Sequence, residues 1–208
     1  MPLIFSIIGY GILYVAVKPL LELGINLGSM VLVQEVPTFH AELDSIFEQP
    51  PITVDEQPDT VSIDQIKIPV YGQQYGSLTC ERIGLETPVY YGDSNEILRV
   101  GAGQYIGSFL PGWNRVLLLC AHNTTFFKPL QNVETGDIFT FTTSYGVYQY
   151  EVTDTRIADH NDESTYDLLK EEEELIMYTC YPFETMVGTK TDRLFVYAKK
   201  IAGPTVVE

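Results

Sequence analysis

Residues 136–157 read GDIFTFTTSYGVYQYEVTDTRI. Apolar and polar residues alternate twice, and the two runs meet at Tyr145-Gly146. A period of two puts every second side chain on one face, which a strand does and a helix does not, so this stretch predicts a β-hairpin. Other segments follow the same rule. Residues 63–72, IDQIKIPVYG, alternate with Ile66, Ile68 and Val70 on one face. Residues 76–92 predict two short strands broken near Gly84. Residues 115–121, RVLLLCA, form a continuous apolar run, as expected of a strand covered on both faces or lining a barrel. The runs LIMYTC and RLFVYA close the series. Residues 95–114 hold five glycines or prolines and predict loop and turn. Residues 159–174 are polar, with room for one helical turn near Leu168. About eight strands with short links predict a mainly β fold, a closed eight-stranded barrel with short helices. Fourteen tyrosines, ten phenylalanines and frequent Val, Ile and Thr agree with it.

The 208-residue chain holds 12 basic and 28 acidic residues, a net charge of −16. Such a surface repels nucleic acid, which excludes that partner class. Residues 2–17 are uncharged and strongly apolar, and Lys18 interrupts them. A membrane helix needs about 20 apolar residues, which residues 2–21 supply if Lys18 snorkels to a headgroup region. The expected organisation is an N-terminal membrane anchor over 1–33, an acidic, proline-rich linker over 34–62 and a barrel over 63–208. A retained anchor is preferred to a cleaved signal, and a buried hydrophobic hairpin is the plainer alternative. A short helix is allowed over 41–48. No Lys or Arg precedes residue 18, so charge does not orient the anchor.

The three cysteines are Cys80, Cys120 and Cys180. An odd number leaves one unpaired, and their wide spacing without CxxC argues against zinc. Cys80 and Cys120 read as small buried hydrophobes. Cys180 ends an apolar run just before Pro182, which stops regular pairing, so it belongs at a sheet rim. His122 follows RVLLLCA, and Arg193 opens RLFVYA. If the last two strands are antiparallel neighbours, Cys180 and Arg193 share a rim. A His122 strand parallel to that of Cys180 adds His122, but the pattern leaves the pairing open. A thiol, an imidazole and a guanidinium together suit thiol acyl transfer. The thiolate attacks a carbonyl, histidine moves the proton and arginine holds carbonyl or oxyanion. Each residue alone also has a plainer reading, as core thiol, loop histidine or solvated strand arginine.

These residues resemble the sortases, cysteine transpeptidases of Gram-positive surfaces, over residues 63–201. GQYIGSFLPG and LLLCAHNTTFFKPLQNVETGDIFTF resemble the family's turn, its catalytic-histidine strand and the strand after it. YTCYPF is similar to the motif around the nucleophile and DRLFVYA to the arginine strand. The resemblance implies that Cys180 cleaves an LPxTG-like sorting signal between Thr and Gly and holds the acyl chain as a thioester. An amine from a cell-wall precursor or a pilin lysine then releases it. It implies His122 as acid/base, Arg193 for oxyanion and substrate, assistance from the Thr179 hydroxyl, and a substrate groove helped by the loop over 156–170. It places the barrel on the outer face of the cell membrane, anchor N-in. TCYPF with an N-terminal anchor looks most like class D, while class A or a pilin-assembling class C remains open. Ala121 stands for the usual glycine, HNTT for HRDT, and Gln104 for a histidine in the GxGHxxGS turn. Some sortases bind calcium, and Asp159, Asp162, Glu163 and residues 171–174 offer oxygen ligands. No ligand spacing is diagnostic, a solvated acidic face is the plain reading, and no cofactor is expected. Competing readings are an L,D-transpeptidase, whose Ser-His-Gly-Cys stretch is missing, a barrel that no longer turns over, and a non-catalytic anchored module that binds wall or protein.

Overall fold

The computed structural model describes Tyr14, Ile46, Phe47, Val54 and residues 57–183 and 190–208. The expected anchor and most of the linker lie outside the described residues. Among the described residues no helix is long and apolar enough to cross a membrane.

Eight strands close into a barrel. They are β2 (Gln74–Cys80), β3 (Leu85–Tyr91), β4 (Ala102–Gln104), β5 (Val116–Cys120), β6 (Ile138–Thr143), β7 (Gly146–Asp159), β8 (Glu174–Cys180) and β9 (Asp192–Ala202). Around the barrel the order is β2-β3-β4-β5-β8-β9-β7-β6, with β6 closing on β2. The expected hairpin is β6 and β7, paired from Ile138↔Glu151 to Thr143↔Gly146. Alternation divides the side chains. Leu117, Leu119, Phe139, Phe141, Tyr148 and Met177 point inward to one core. Val116, Leu118, Ile176 and Phe195 form a second cluster on the outer face of β5, β8 and β9, with Ala158 and Leu168 packed over it. A fully buried side chain of this kind contributes about 1.5–3 kcal/mol.

The strand count agrees with expectation, but one member differs. Residues 63–70 are not a strand. Ile63–Gln65 form a 3-10 turn, and Ile68 and Val70 are 51% and 54% exposed. Pro69 has no N–H to give a ladder, and Val70 N–H instead donates to Gln73 Oε1 at 3.1 Å. The eighth place belongs to β4, in the stretch expected to be loop. It runs parallel to β3 and antiparallel to β5. Its glycines allow close approach: a Cβ on Gly103 would lie 2.5 Å from the Gly92 carbonyl oxygen. A short helix, α1 (Asn95–Leu98), precedes it. The helical turn expected near Leu168 forms earlier, at Glu163–Thr165, where the Asp162 carboxylate accepts from Ser164 N–H at 3.0 Å.

The linker's last residues also differ from expectation. β1 (Thr60–Ser62) pairs in parallel with β10 (Thr205–Val207). The Gln57 amide exchanges two hydrogen bonds with the Val147 backbone, at 2.6 and 2.9 Å. This ribbon lies where β5 and β8 begin, since Val206 N–H donates to the Gly112 carbonyl at 2.8 Å. Glu173 seals the same end. Its buried carboxylate accepts from Gly112 N–H (2.8 Å), Asn114 N–H (3.2 Å), Tyr150 O–H (2.7 Å) and Lys200 Nζ (3.2 Å). A buried charge is tolerable when it is paired and bonded this fully.

Candidate active site

The other end of the barrel gathers the chemistry. β5 and β8 are parallel, with Cys120 opposite Tyr178. β8 and β9 are antiparallel, with Cys180 opposite Arg193. Both conditions set by the sequence are therefore met. Tyr181 N–H donates to the Asp192 carbonyl at 2.9 Å, so Tyr181 and Asp192 form a hydrogen-bonded pair. Cys180 and Arg193 are then a non-hydrogen-bonded pair, the kind whose Cα atoms come closest, about 4.5 Å. Cys180 and Arg193 share the alternation of Ile176, Tyr178 and Phe195, which puts them on the outer face of the barrel. His122 stands two residues past Cys120, where β5 ends at this rim. The three predicted groups converge on one rim, Cys180 and Arg193 on the same face.

Cys180 is the partly exposed cysteine of the three, and none is in a disulfide. Cys80 and Cys120 are buried as expected. Burial pushes the Cys120 thiol up to about 12, against a hydrogen bond from Tyr178, so it stays protonated. The His122 ring is half-buried. Desolvation lowers its pKa, and the Arg99 guanidinium lowers it further, so the ring is mostly neutral at pH 7. Arg193 Nη1 donates to the carbonyls of Lys190 and Asp192, both at 2.9 Å, so the guanidinium turns toward its own strand entry.

Thr179 stands otherwise than its expected role requires. It is buried, and its hydroxyl donates to the Ala121 carbonyl at 2.7 Å, on the face of β8 opposite Cys180. It ties β8 to the residue before His122. Asn123 carries a tie that the sequence did not signal. Its Nδ2 donates to the carbonyls of Cys180 (2.8 Å) and Pro182 (3.2 Å). Gln104 is also internal. It accepts from Tyr75 O–H and donates to the Phe109 carbonyl at 3.0 Å. Its amide is used up holding the turn together.

Of the expected loop over 156–170, residues 156–159 belong to β7, and the rest overhangs this face, with Leu168 packed on the outer cluster. Tyr197 O–H donates to the Thr165 carbonyl at 2.7 Å, and Arg156 pairs with Asp162 at 2.7 Å. Among the described residues no three His, Cys, Asp or Glu side chains gather as a metal site. Of the proposed oxygen ligands, Glu173 faces the interior at the opposite end. A cleft of about 580 Å³ lies elsewhere, between residues 79–82 and 136–140. It holds the Arg82–Asp137 ion pair and none of the three groups above.

Comparison with known proteins agrees with this geometry. The sortase domain matches residues 78–201. Sortase D of Bacillus subtilis (strain 168) is 37% identical over 133 residues, spanning 64% of this chain and 67% of that one. Sortase C from Clostridium perfringens SM101 superposes with a TM-score of 0.57 at 26% identity, covering 64% of this chain and 72% of that one. Streptococcus pneumoniae sortase C gives 0.56 at 29% identity, covering 64% and 70%. A closed eight-stranded barrel, a rim holding thiol, imidazole and guanidinium, and a family match over most of the barrel lead to one conclusion: the chain belongs to the sortase family, the cysteine transpeptidases.

Proposed function

We propose that Cys180 is the nucleophile of this transpeptidase and that its donor substrate is a surface protein ending in an LPxTG-like signal. The Cys180 thiol passes its proton to His122 as its sulfur attacks the threonine carbonyl carbon. The Thr–Gly C–N bond breaks, and His122 gives a proton to the departing glycine amine. An amine of a cell-wall precursor or of a pilin lysine then attacks the thioester and yields its proton to His122, and the sulfur leaves as thiolate and takes that proton back from His122. Arg193 exchanges its bonds to the Lys190 and Asp192 carbonyls for the substrate's oxyanion. Thr179 serves by fixing β8 against Ala121.

One observation carries this reading: His122, Cys180 and Arg193 reach the same rim of the barrel, and the thiol there is the partly exposed one. The similarity to Bacillus subtilis sortase D supports class D, and the sortase C likenesses keep pilin assembly as the second reading. The β1–β10 ribbon delivers residue 60 to the end of the barrel away from the rim. With an N-terminal anchor and the barrel on the outer face, this arrangement turns the site from the membrane. The strands separate the two ends by about 20 Å. No calcium is assigned a role.

The test is cleavage of a quenched fluorescent LPxTG-type peptide panel by the full chain beside Cys180→Ala. Cleavage is expected from the wild type alone, and the best peptide names the motif. A folded wild type that cleaves no peptide and whose Cys180 resists a methylating thiol reagent would leave a non-catalytic binding module.

A further inference from the structure

We propose that Asn123 is a positioning residue for the transfer reaction, holding the nucleophile strand to the histidine turn. This rests on the roles given above to Cys180 and His122. The backbone sets up the need. The β5 ladder ends at Cys120, opposite Tyr178. The chain then turns, with Thr125 and Phe127 N–H donating to the His122 carbonyl at 3.3 and 3.1 Å. β8 continues two residues further. Because Cys180 is in a non-hydrogen-bonded pair with Arg193, its carbonyl points away from β9 to the side β5 has left. No strand residue remains there to meet it.

The Asn123 side chain fills that place. It is 6% exposed, and its Nδ2 reaches the Cys180 carbonyl at 2.8 Å and the Pro182 carbonyl at 3.2 Å. Both partners are acceptors, so only the NH₂ end of the amide fits, one hydrogen to each oxygen. One residue earlier, Thr179 makes the matching inward tie to Ala121. Together these bonds fix β8 to the His122 segment. Both Asn123 bonds go to backbone carbonyls. Asn123 sets the separation of the thiol and the imidazole through the backbone on which each sits. A misplacement of about 1 Å between reacting groups costs on the order of 100-fold in rate.

The experiment uses the full chain in detergent with a peptide that it cleaves. It compares the wild type with Asn123→Ala, Asn123→Asp, Thr124→Ala and Cys180→Ala. Asn123→Asp keeps the shape but sets a carboxylate oxygen against two carbonyl oxygens. Both Asn123 variants are expected to lose about 100-fold in kcat, with KM within about threefold and the thermal transition near that of the wild type. Thr124 is exposed, and Thr124→Ala keeps kcat. An unchanged kcat in Asn123→Ala, a loss in KM alone, or melting of both variants below the assay temperature overturns the proposal, the last because it makes Asn123 a folding residue. Cys180→Ala separates the claims. Retained turnover there sinks the thiol assignment, whereas abolished turnover there with normal turnover in Asn123→Ala sinks the positioning role alone.

Discussion

His122 experiences two effects that act in one direction. Burial disfavours the charged ring, and the nearby Arg99 guanidinium repels a proton. Arg99→Gln therefore raises the titration midpoint of the ring, read by its NMR shifts. The midpoint stays below the ordinary 6.5 because burial is the larger cause. A midpoint that does not move would remove Arg99 from the account. The sign for stability follows from linkage. The folded chain binds the His122 proton less readily than the unfolded one, so this contribution is complete above pH 6.5 and is lost as pH falls from there to the folded midpoint. Thr179 and Asn123 show why residue roles were only partly legible. Cys180, His122 and Arg193 could be placed from strand ends. Which of two carbonyls an amide reaches depends on where another strand stops, and local sequence does not carry that.

β4 shows the same division among elements. Its three residues are too short to display a period, and its flanking glycines read as loop. Yet it bridges β3 and β5, and without it the barrel would not close. The glycines are there because the backbones nearly touch. At Gly103 a Cβ meets the Gly92 carbonyl oxygen at 2.5 Å and the Asp93 Cα at 3.0 Å, backbone atoms that cannot rotate aside. Gly103→Ala is expected to destabilise the chain by about 1–3 kcal/mol. Urea denaturation checks this, and a loss under about 0.5 kcal/mol, the range of an ordinary surface change, would show that β4 can shift at little cost. The apolar run of β5 was legible because all five residues are buried, Leu117 and Leu119 in the inner core and Val116 and Leu118 in the outer cluster. Residues 63–70 misled because alternation alone does not count donors, and Pro69 lacks one.

Across the whole molecule, charge sets the response to solvent. Residues 63–208 hold 11 basic and 20 acidic residues, a net −9 of the chain's −16, and this makes the folded surface repel itself. Raising salt from 0.01 M to 0.15 M shortens the screening length from about 30 Å to about 8 Å. The thermal midpoint is expected to rise over that range. Calorimetry in sodium chloride checks the sign, and a fall would mean that specific pairs such as Arg82–Asp137 outweigh the general repulsion. The molecule is also polar end to end. Glu173, Lys200 and the β1–β10 ribbon close one end, and the reactive rim occupies the other.

Linear order is enough to show that the chain is a barrel of short strands, and that a thiol, an imidazole and an arginine stand at strand ends. Period-two alternation and proline placement are local, so they survive in a linear reading. The tertiary structure alone decided that β5 lies beside β8 in parallel, that β4 completes the ring, that Thr179 faces inward, and that the linker's last residues dock on the barrel. Each of those depends on contacts between residues far apart in the chain. The partner that satisfies a hydrogen-bonding group there is chosen by how the whole sheet closes.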